Sequence, residues 1–274
     1  MIMDIHSHTY YSRCGRDNPR QTIQAAIDGG IEIFGISDHN YGIADRKKEY
    51  FELLTALQKE YSEKIKIVRG IELCTVENLW LRDEEDISYF DYCLVEHIDR
   101  PESSVGLDIF RYALRCGCKT GIAHTDLIAF AKTLGKDPTD FLKAFAEHDI
   151  FWEINVNYDS IHGYHEHEYV KRLVESKEEQ DIVRNSGITV SVGFDGHRVE
   201  DYVPERVIKM CHFLESQKIP MVVFQHFTVN LFEKQFVEIV LSVKTNGKET
   251  VKTRRFSNEL AIRLTKSPRR QQNC

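Results

Sequence analysis

Apolar runs of strand length alternate with amphipathic stretches of helical length from Met3 to about residue 226, and the hydrophobic repeat switches at each boundary. The strand-like runs are Met3–His8, Ile31–Asp38, Ile65–Glu72, Tyr92–Ile98, Thr120–His124, Ile150–Asn155 and Ile188–Asp195. Helical patterns fall between and after them at Pro19–Asp28, Lys48–Glu63, Leu107–Cys116, Thr139–Glu147, Glu166–Asn185 and Pro204–Gln217. Gly29-Gly30, Gly117 and Gly187 sit where these helices must stop. A strand–helix repeat of this kind predicts an α/β fold whose parallel sheet is either closed into a barrel or doubly wound.

The rhythm ends near His226, which divides the chain into a catalytic-sized body, residues 1–226, and an extension, residues 227–274. The clearest feature of the extension is Phe236–Arg255, where two polar, β-rich arms flank Asn246-Gly247, a strong hairpin signal. The closing Pro268-Arg269-Arg270-Gln271-Gln272-Asn273 reads as a frayed end.

Composition narrows the class without naming a chemistry. With 274 residues, 42% of them hydrophobic, the chain can bury a full core. Its net charge of −7 is unevenly spread, because the segment from Lys234 onward holds 10 Lys/Arg against 3 Asp/Glu and leaves the body strongly acidic. An acidic body suits a cation site, and a basic tail suits either a solvated appendage or a polyanion contact. The seven cysteines contain no CxxC pair, and Cys116-Gly117-Cys118 is too tight for a zinc-ribbon knuckle, so a reducing, cytoplasmic setting is expected. Neither a secretory leader nor a membrane-length apolar run is evident, so no membrane partner is expected.

Chemistry enters at the strand tips. His6 and His8 stand two apart on the first strand, so both imidazoles leave the same face. The second strand ends in Asp38-His39, the third in Glu72, the fourth in His97, the fifth in His124, and the last in Asp195-Gly196-His197. In a parallel barrel these C-terminal ends converge on one mouth, where unpaired acids and imidazoles would each cost about 1–3 kcal/mol of unmet hydrogen bonding. Metal ions remove that cost, and a polynuclear metal site is the expectation.

The ordered set DIHSHT, SDHN, RGIE, VEHI, IAHTD and GFDGH, spanning about residues 3–215, resembles the polymerase and histidinol phosphatase (PHP) superfamily. The resemblance implies a distorted TIM-like (βα)7 barrel holding two or three divalent transition-metal ions (zinc, manganese or iron) at the C-terminal strand ends. It implies that His6, His8, Glu72 and Asp195 hold one ion, that Glu72 bridges to a second held by His97 and His124, and that His39 and His197 hold a third. Where many members have a further histidine for the third ion, this chain has Cys14. A thiolate there favours zinc over manganese, and the competing reading is a plain loop thiol.

Such a centre suits hydrolysis of a phosphoester by a metal-activated hydroxide, with Glu72 and Asp195 as the central carboxylates. Asp38 is expected either to orient His39, to act as acid or base, or to be structural. Arg198 and Arg13 are candidate phosphate grips, with a surface pairing to Asp201 or Glu200 as the competing reading for Arg198, and Asn155 is a substrate-facing amide. His162, His165 and His167 belong to the same βα face and are read first as a solvated loop or helix start, with substrate contact as the alternative. The resemblance points first to a small phosphate monoester, as in free-standing histidinol phosphatases. A phosphodiesterase or nuclease ranks second, disfavoured by the acidic body, and a metal-dependent amidohydrolase third.

Overall fold

The computed structural model describes residues 1–76, 79, 85–157 and 165–224, together with the backbone of a strand pair at 237–245 and 248–256. The fold is α/β, with two parallel sheets. One contains β1 (Met3–Asp4), β2 (Ile33–Ile36) and β3 (Lys66–Arg69). The other contains β4 (Glu72–Cys74), β5 (Tyr92–Glu96), β6 (Lys119–Ile122), β7 (Ile150–Asn155) and β8 (Val190–Gly193), hydrogen-bonded in that order. Helices Pro19–Asp28, Lys47–Glu60, Ile109–Cys116, Pro138–Glu147 and Pro204–Ser216 contact the strands. Strands covered on both faces are buried throughout and largely apolar, as the Ile-Phe-Trp-Glu-Ile-Asn of β7 illustrates, with Glu153 and Asn155 as its two polar residues.

Single hydrogen bonds continue beyond the ladders and link the two sheets. Ile5 N donates to Val192 O at 3.0 Å and Asp195 N to His6 O at 2.8 Å, tying the chain after β1 to β8. On the other side, Gly70 N donates to Ile36 O at 2.9 Å and Glu72 N to Asp38 O at 3.1 Å. The tips of β1, β2, β4 and β8 are thereby held side by side.

Among the described residues, several elements differ from the hydrophobic pattern. The single strand expected at Ile65–Glu72 is two, β3 and β4, because the chain leaves one sheet and enters the other across Gly70-Ile71. The long helix expected at Glu166–Asn185 is broken into Glu168–Glu175 and Lys177–Ser186, since Ser176 turns extended and its hydroxyl caps the second helix at Glu179 N. A further helix, Leu127–Thr133, starts where the Asp126 side chain accepts from Ala129 N. Gly117 and Gly187 close their helices in the left-handed conformation, where a side chain would be strained.

The chain divides into two compact units, Met1–Phe224 and Gln225–Cys274. In the second, β9 (Val237–Thr245) and β10 (Lys248–Phe256) pair antiparallel with Thr245 opposite Lys248, and Asn246-Gly247 lies outside the described residues. Among the described residues no helix is long and apolar enough to cross a membrane.

Candidate metal centre

The strand ends bring His6, His8, Glu72 and Asp195 into contact. His6 Nε2 lies 3.1 Å from His8 Nε2, and both lie against Asp195 Oδ1, at 3.3 and 3.0 Å. Glu72 faces the same point, with Oε1 3.3 Å from His6 Nε2 and Oε2 3.2 Å from His8 Nε2. The same carboxylate reaches His39 Nδ1 at 3.0 Å and His124 Nε2 at 3.2 Å. Ligand atoms bound at about 2.0–2.2 Å around one ion are separated by roughly 3.0–3.6 Å, so these spacings fit a coordination sphere. His39 Nδ1 and Glu72 Oε2 are buried, close together and without a hydrogen bond, which is the signature of two acceptors aimed at a cation.

Backbone strain marks three of the tips. His97, His124 and Asp195 have φ of 62°, 23° and 55°, in the left-handed region that costs a non-glycine residue about 1–3 kcal/mol. Each sits immediately after or close to the end of β5, β6 or β8, where the turn redirects a side chain that strand alternation would send elsewhere.

A second layer of side chains fixes the imidazoles. His6 Nδ1 pairs with Glu153 Oε1 at 2.7 Å, while Glu153 Oε2 accepts from His124 N at 2.8 Å. Gly193 makes room for this pair, since a Cβ there would lie 1.9 Å from Glu153 Oε1. His8 Nδ1 meets Ser12 Oγ at 3.0 Å, and that hydroxyl donates to Asp38 Oδ1 at 2.7 Å. With their Nδ1 atoms donating to these partners, both histidines keep the Nε2 lone pair free for an ion. Asp38 therefore reaches both His8 and His39 through Ser12, whose hydroxyl also accepts from His39 N at 2.9 Å. Its carboxylate also accepts from Thr9 N, Thr9 Oγ1 and Ser12 N, which anchors the first loop to the end of β2.

The electrostatics are those of a site that exchanges protons for cations. Burial alone would push the His6 imidazole down, but the charges of Glu153, Glu72 and Asp195 outweigh it and hold the ring well above its usual range. His39 is raised in the same way, and His124 is pushed up to about 9, burial again being outweighed by Glu72. Against their own burial, Glu72 and Asp195 are held well below the usual carboxylate range, each first by His6. Divalent ions would take over the counter-charge that imidazolium protons otherwise supply.

Cys14 joins this region, its sulfur grouped with ligand atoms of His8 and His197. Although burial raises its pKa, hydrogen bonds with His197 and His39 bring the thiol down to about 5. Of the expected grouping of Glu72 with His97 and His124, Glu72 meets His124 directly and the His97 ring lies 5.9 Å from that of His124. Glu96, absent from the sequence expectation, stands with Glu72 and His124, while His97 groups with Glu96 and Cys74. His167, read as part of a solvated stretch, is buried and stacks parallel to His124 at 6.3 Å between ring centroids. His162 lies outside the described residues.

The candidate ligands open on a cavity of about 510 Å³ walled also by Tyr41, Val76, Leu79 and Arg100. Arg13 is exposed on the first loop with its guanidinium 6.0 Å from the Tyr41 ring centroid, within reach of that wall. Arg198 is not there: it lines a separate small pocket with Ser7, Thr22 and Tyr202 and lies 3.5 Å from Glu200. Asn155 is fully buried at the end of β7, its Oδ1 accepting from Asn157 N, and it does not line the cavity. Arg100 had no sequence signal beyond its place after the His97 tip.

Comparison with known proteins agrees with this geometry. A histidinol-phosphatase of Lactococcus lactis subsp. lactis (strain IL1403) is 29% identical over 94 residues, covering 32% of this chain and 34% of the relative. The chain thus spans about a third of that curated relative's length in the match. In three dimensions, the histidinol phosphate phosphatase of Lactococcus lactis subsp. lactis, solved in complex with zinc, L-histidinol and phosphate, superposes with a TM-score of 0.51 at 17% identity. That superposition covers 82% of this chain and 97% of the other, and it shows a shared fold. The sequence pattern of the PHP domain matches residues 4–197, from the aspartate before His6 through His197. The chain belongs to the PHP domain family.

Proposed function

We propose that this chain is a metal-dependent phosphatase that hydrolyses a small phosphate monoester. The observation that carries this reading is the meeting of His6, His8, Glu72 and Asp195 with both Nε2 atoms turned inward by Glu153 and Ser12. His6, His8, Glu72 and Asp195 would hold one ion, Glu72, Glu96 and His124 a second, and His39, His197 and Cys14 a third. Bound divalent ions supply Lewis acidity toward phosphoryl oxygens and lower the pKa of water, and zinc suits the histidine-rich, thiol-bearing donor set best.

The chain's own residues do the remaining work. Glu72 faces His6, His8, His39 and His124, so it would be the carboxylate common to the neighbouring ligand groups. Arg100 on the cavity wall, and Arg13 beside Tyr41, would grip substrate oxygens, while Tyr41, Val76 and Leu79 cover the organic part. The sheet-to-sheet hydrogen bonds at Ile5–Val192 and Glu72–Asp38 support a distorted, closed barrel as the scaffold.

The test is turnover by the metal-loaded chain on a panel of histidinol phosphate, an aryl phosphate, a nucleoside monophosphate and a short oligonucleotide. Phosphate release from at least one monoester is expected. Turnover of the oligonucleotide alone would replace this reading with a nuclease that uses the basic extension.

A further inference from the structure

The register of β9 and β10 sorts the residues of the C-terminal strand pair onto two unlike faces. Directly opposed residues of an antiparallel pair share a face, and successive residues alternate. Val237, Ile239, Leu241 and Val243 therefore form one aliphatic row on β9. On the same face, β10 places Arg254 opposite Ile239, Lys252 opposite Leu241 and Lys248 opposite Thr245, with no acid among them. The second face sets Glu238 opposite Arg255 and Glu249 opposite Lys244, so its two acids and two bases balance. All the net positive charge of the pair thus stands on the face that carries the aliphatic row.

We propose that this face docks on an anionic lipid surface, with the aliphatic row at the boundary of headgroups and acyl chains and the cationic row among the headgroups. Among the described residues the sheet has only these two strands, and a two-stranded sheet is marginal in water unless a face is covered. The occupant must offer apolar and anionic groups side by side, which a bilayer containing acidic lipid does. A nucleic acid would satisfy the cations and leave the aliphatic row in water. Beyond the strands the sequence continues with Arg263, Lys266, Arg269 and Arg270 against the single acid Glu259. Charge spread over so long a segment matches a diffuse anionic surface better than a discrete protein socket, and the acidic body is repelled by that surface. The ribbon lies on the bilayer and does not cross it, because its two open edges would be unsatisfied in hydrocarbon. None of this depends on the phosphatase reading.

Co-sedimentation of the full-length chain with vesicles tests this, using phosphatidylcholine alone and an equimolar mixture of phosphatidylcholine and phosphatidylserine. Binding is expected to the mixed vesicles only, and to weaken as salt is raised. The joint variant Lys248→Gln, Lys252→Gln, Arg254→Gln should lose roughly a hundredfold in affinity, about fivefold for each charge. Leu241→Asn should weaken binding, whereas Val240→Asn, on the balanced face, should leave it near that of the parent. Failure to bind the mixed vesicles, equal binding to neutral ones, or equal losses in the Leu241 and Val240 variants would overturn the proposal. Tighter binding to a short oligonucleotide than to the mixed vesicles would overturn it in favour of a nucleic acid, and loss of a dimer in Leu241→Asn in favour of a second copy. Where a variant does not fold, the salt dependence and the neutral-vesicle comparison on the parent chain decide.

Discussion

His6 and His8 face each other Nε2 to Nε2 across 3.1 Å, while each commits its other ring nitrogen elsewhere, His6 to Glu153 and His8 to Ser12. Two lone pairs at that distance repel unless a cation stands between them. The outer partners therefore act on metal affinity through ring orientation. Ser12→Ala removes the hydroxyl that joins His8 to Asp38 and is expected to weaken ion binding by about 10–100-fold. Competition with a chromophoric chelator measures this, and an unchanged affinity would remove Ser12 from the account.

Gly193 is a steric test of the Glu153–His6 pair. A methyl at this position collides with Glu153 Oε1 and approaches His6 Cβ to 2.7 Å. Gly193→Ala should destabilise the fold by about 1–3 kcal/mol and lower zinc content together. Glu153→Gln, which keeps the shape, should lower zinc affinity with a smaller loss of stability. Denaturant unfolding and metal analysis separate the two effects; parent-like behaviour of Gly193→Ala in both would contradict the packing described.

How far the sequence carried can be seen in particular residues. His6, His8, His39, His124, Glu72, Asp195 and His197 were legible because parallel strands must bring their C-terminal ends together, whatever their separation along the chain. Glu153 was overlooked, although a lone acid inside the apolar Ile-Phe-Trp-Glu-Ile-Asn run is a signal, since buried charges require partners. Ser12 had none: its position depends on how the first loop folds back to Asp38. Glu96 was overlooked beside His97, because strand alternation sends neighbours to opposite faces and only the left-handed turn at His97 brings both to one cluster. For Arg198 two readings stood side by side, because adjacency to His197 says nothing about which face of the loop it takes, and its guanidinium lies near Glu200 in the separate pocket.

Cys14 carries the pH prediction. With its pKa lowered from the ordinary 9.0 to about 5, the thiolate dominates in the metal-free protein above pH 5. Its contribution to stability is complete above 9.0 and is lost as pH falls through about 5. At pH 6, alkylation followed by peptide mapping should therefore label Cys14 well ahead of the buried Cys93 and Cys116, and zinc should block it. Zinc-insensitive labelling would make Cys14 a plain loop thiol.

Arg100 and Arg198 separate substrate contact from structure. Loss of a charged hydrogen bond costs about 1.5–3 kcal/mol, so Arg100→Ala should raise KM about tenfold or more with little change in kcat. Arg198→Ala, in its separate pocket near Glu200, should leave both constants close to parent values. Steady-state kinetics on the best monoester decides between them, and reversed behaviour would move the phosphate grip to Arg198.

The central claim is that the inward-facing histidine pair and Asp195 hold a hydrolytic ion. Zinc content and phosphate release, measured together on the parent chain and on His8→Ala and Asp195→Ala, test it most directly. Each variant is expected to lose bound zinc and at least about a hundredfold in turnover, while chelation silences the parent and added zinc restores it. Full zinc content and full phosphatase activity in either variant would contradict the account.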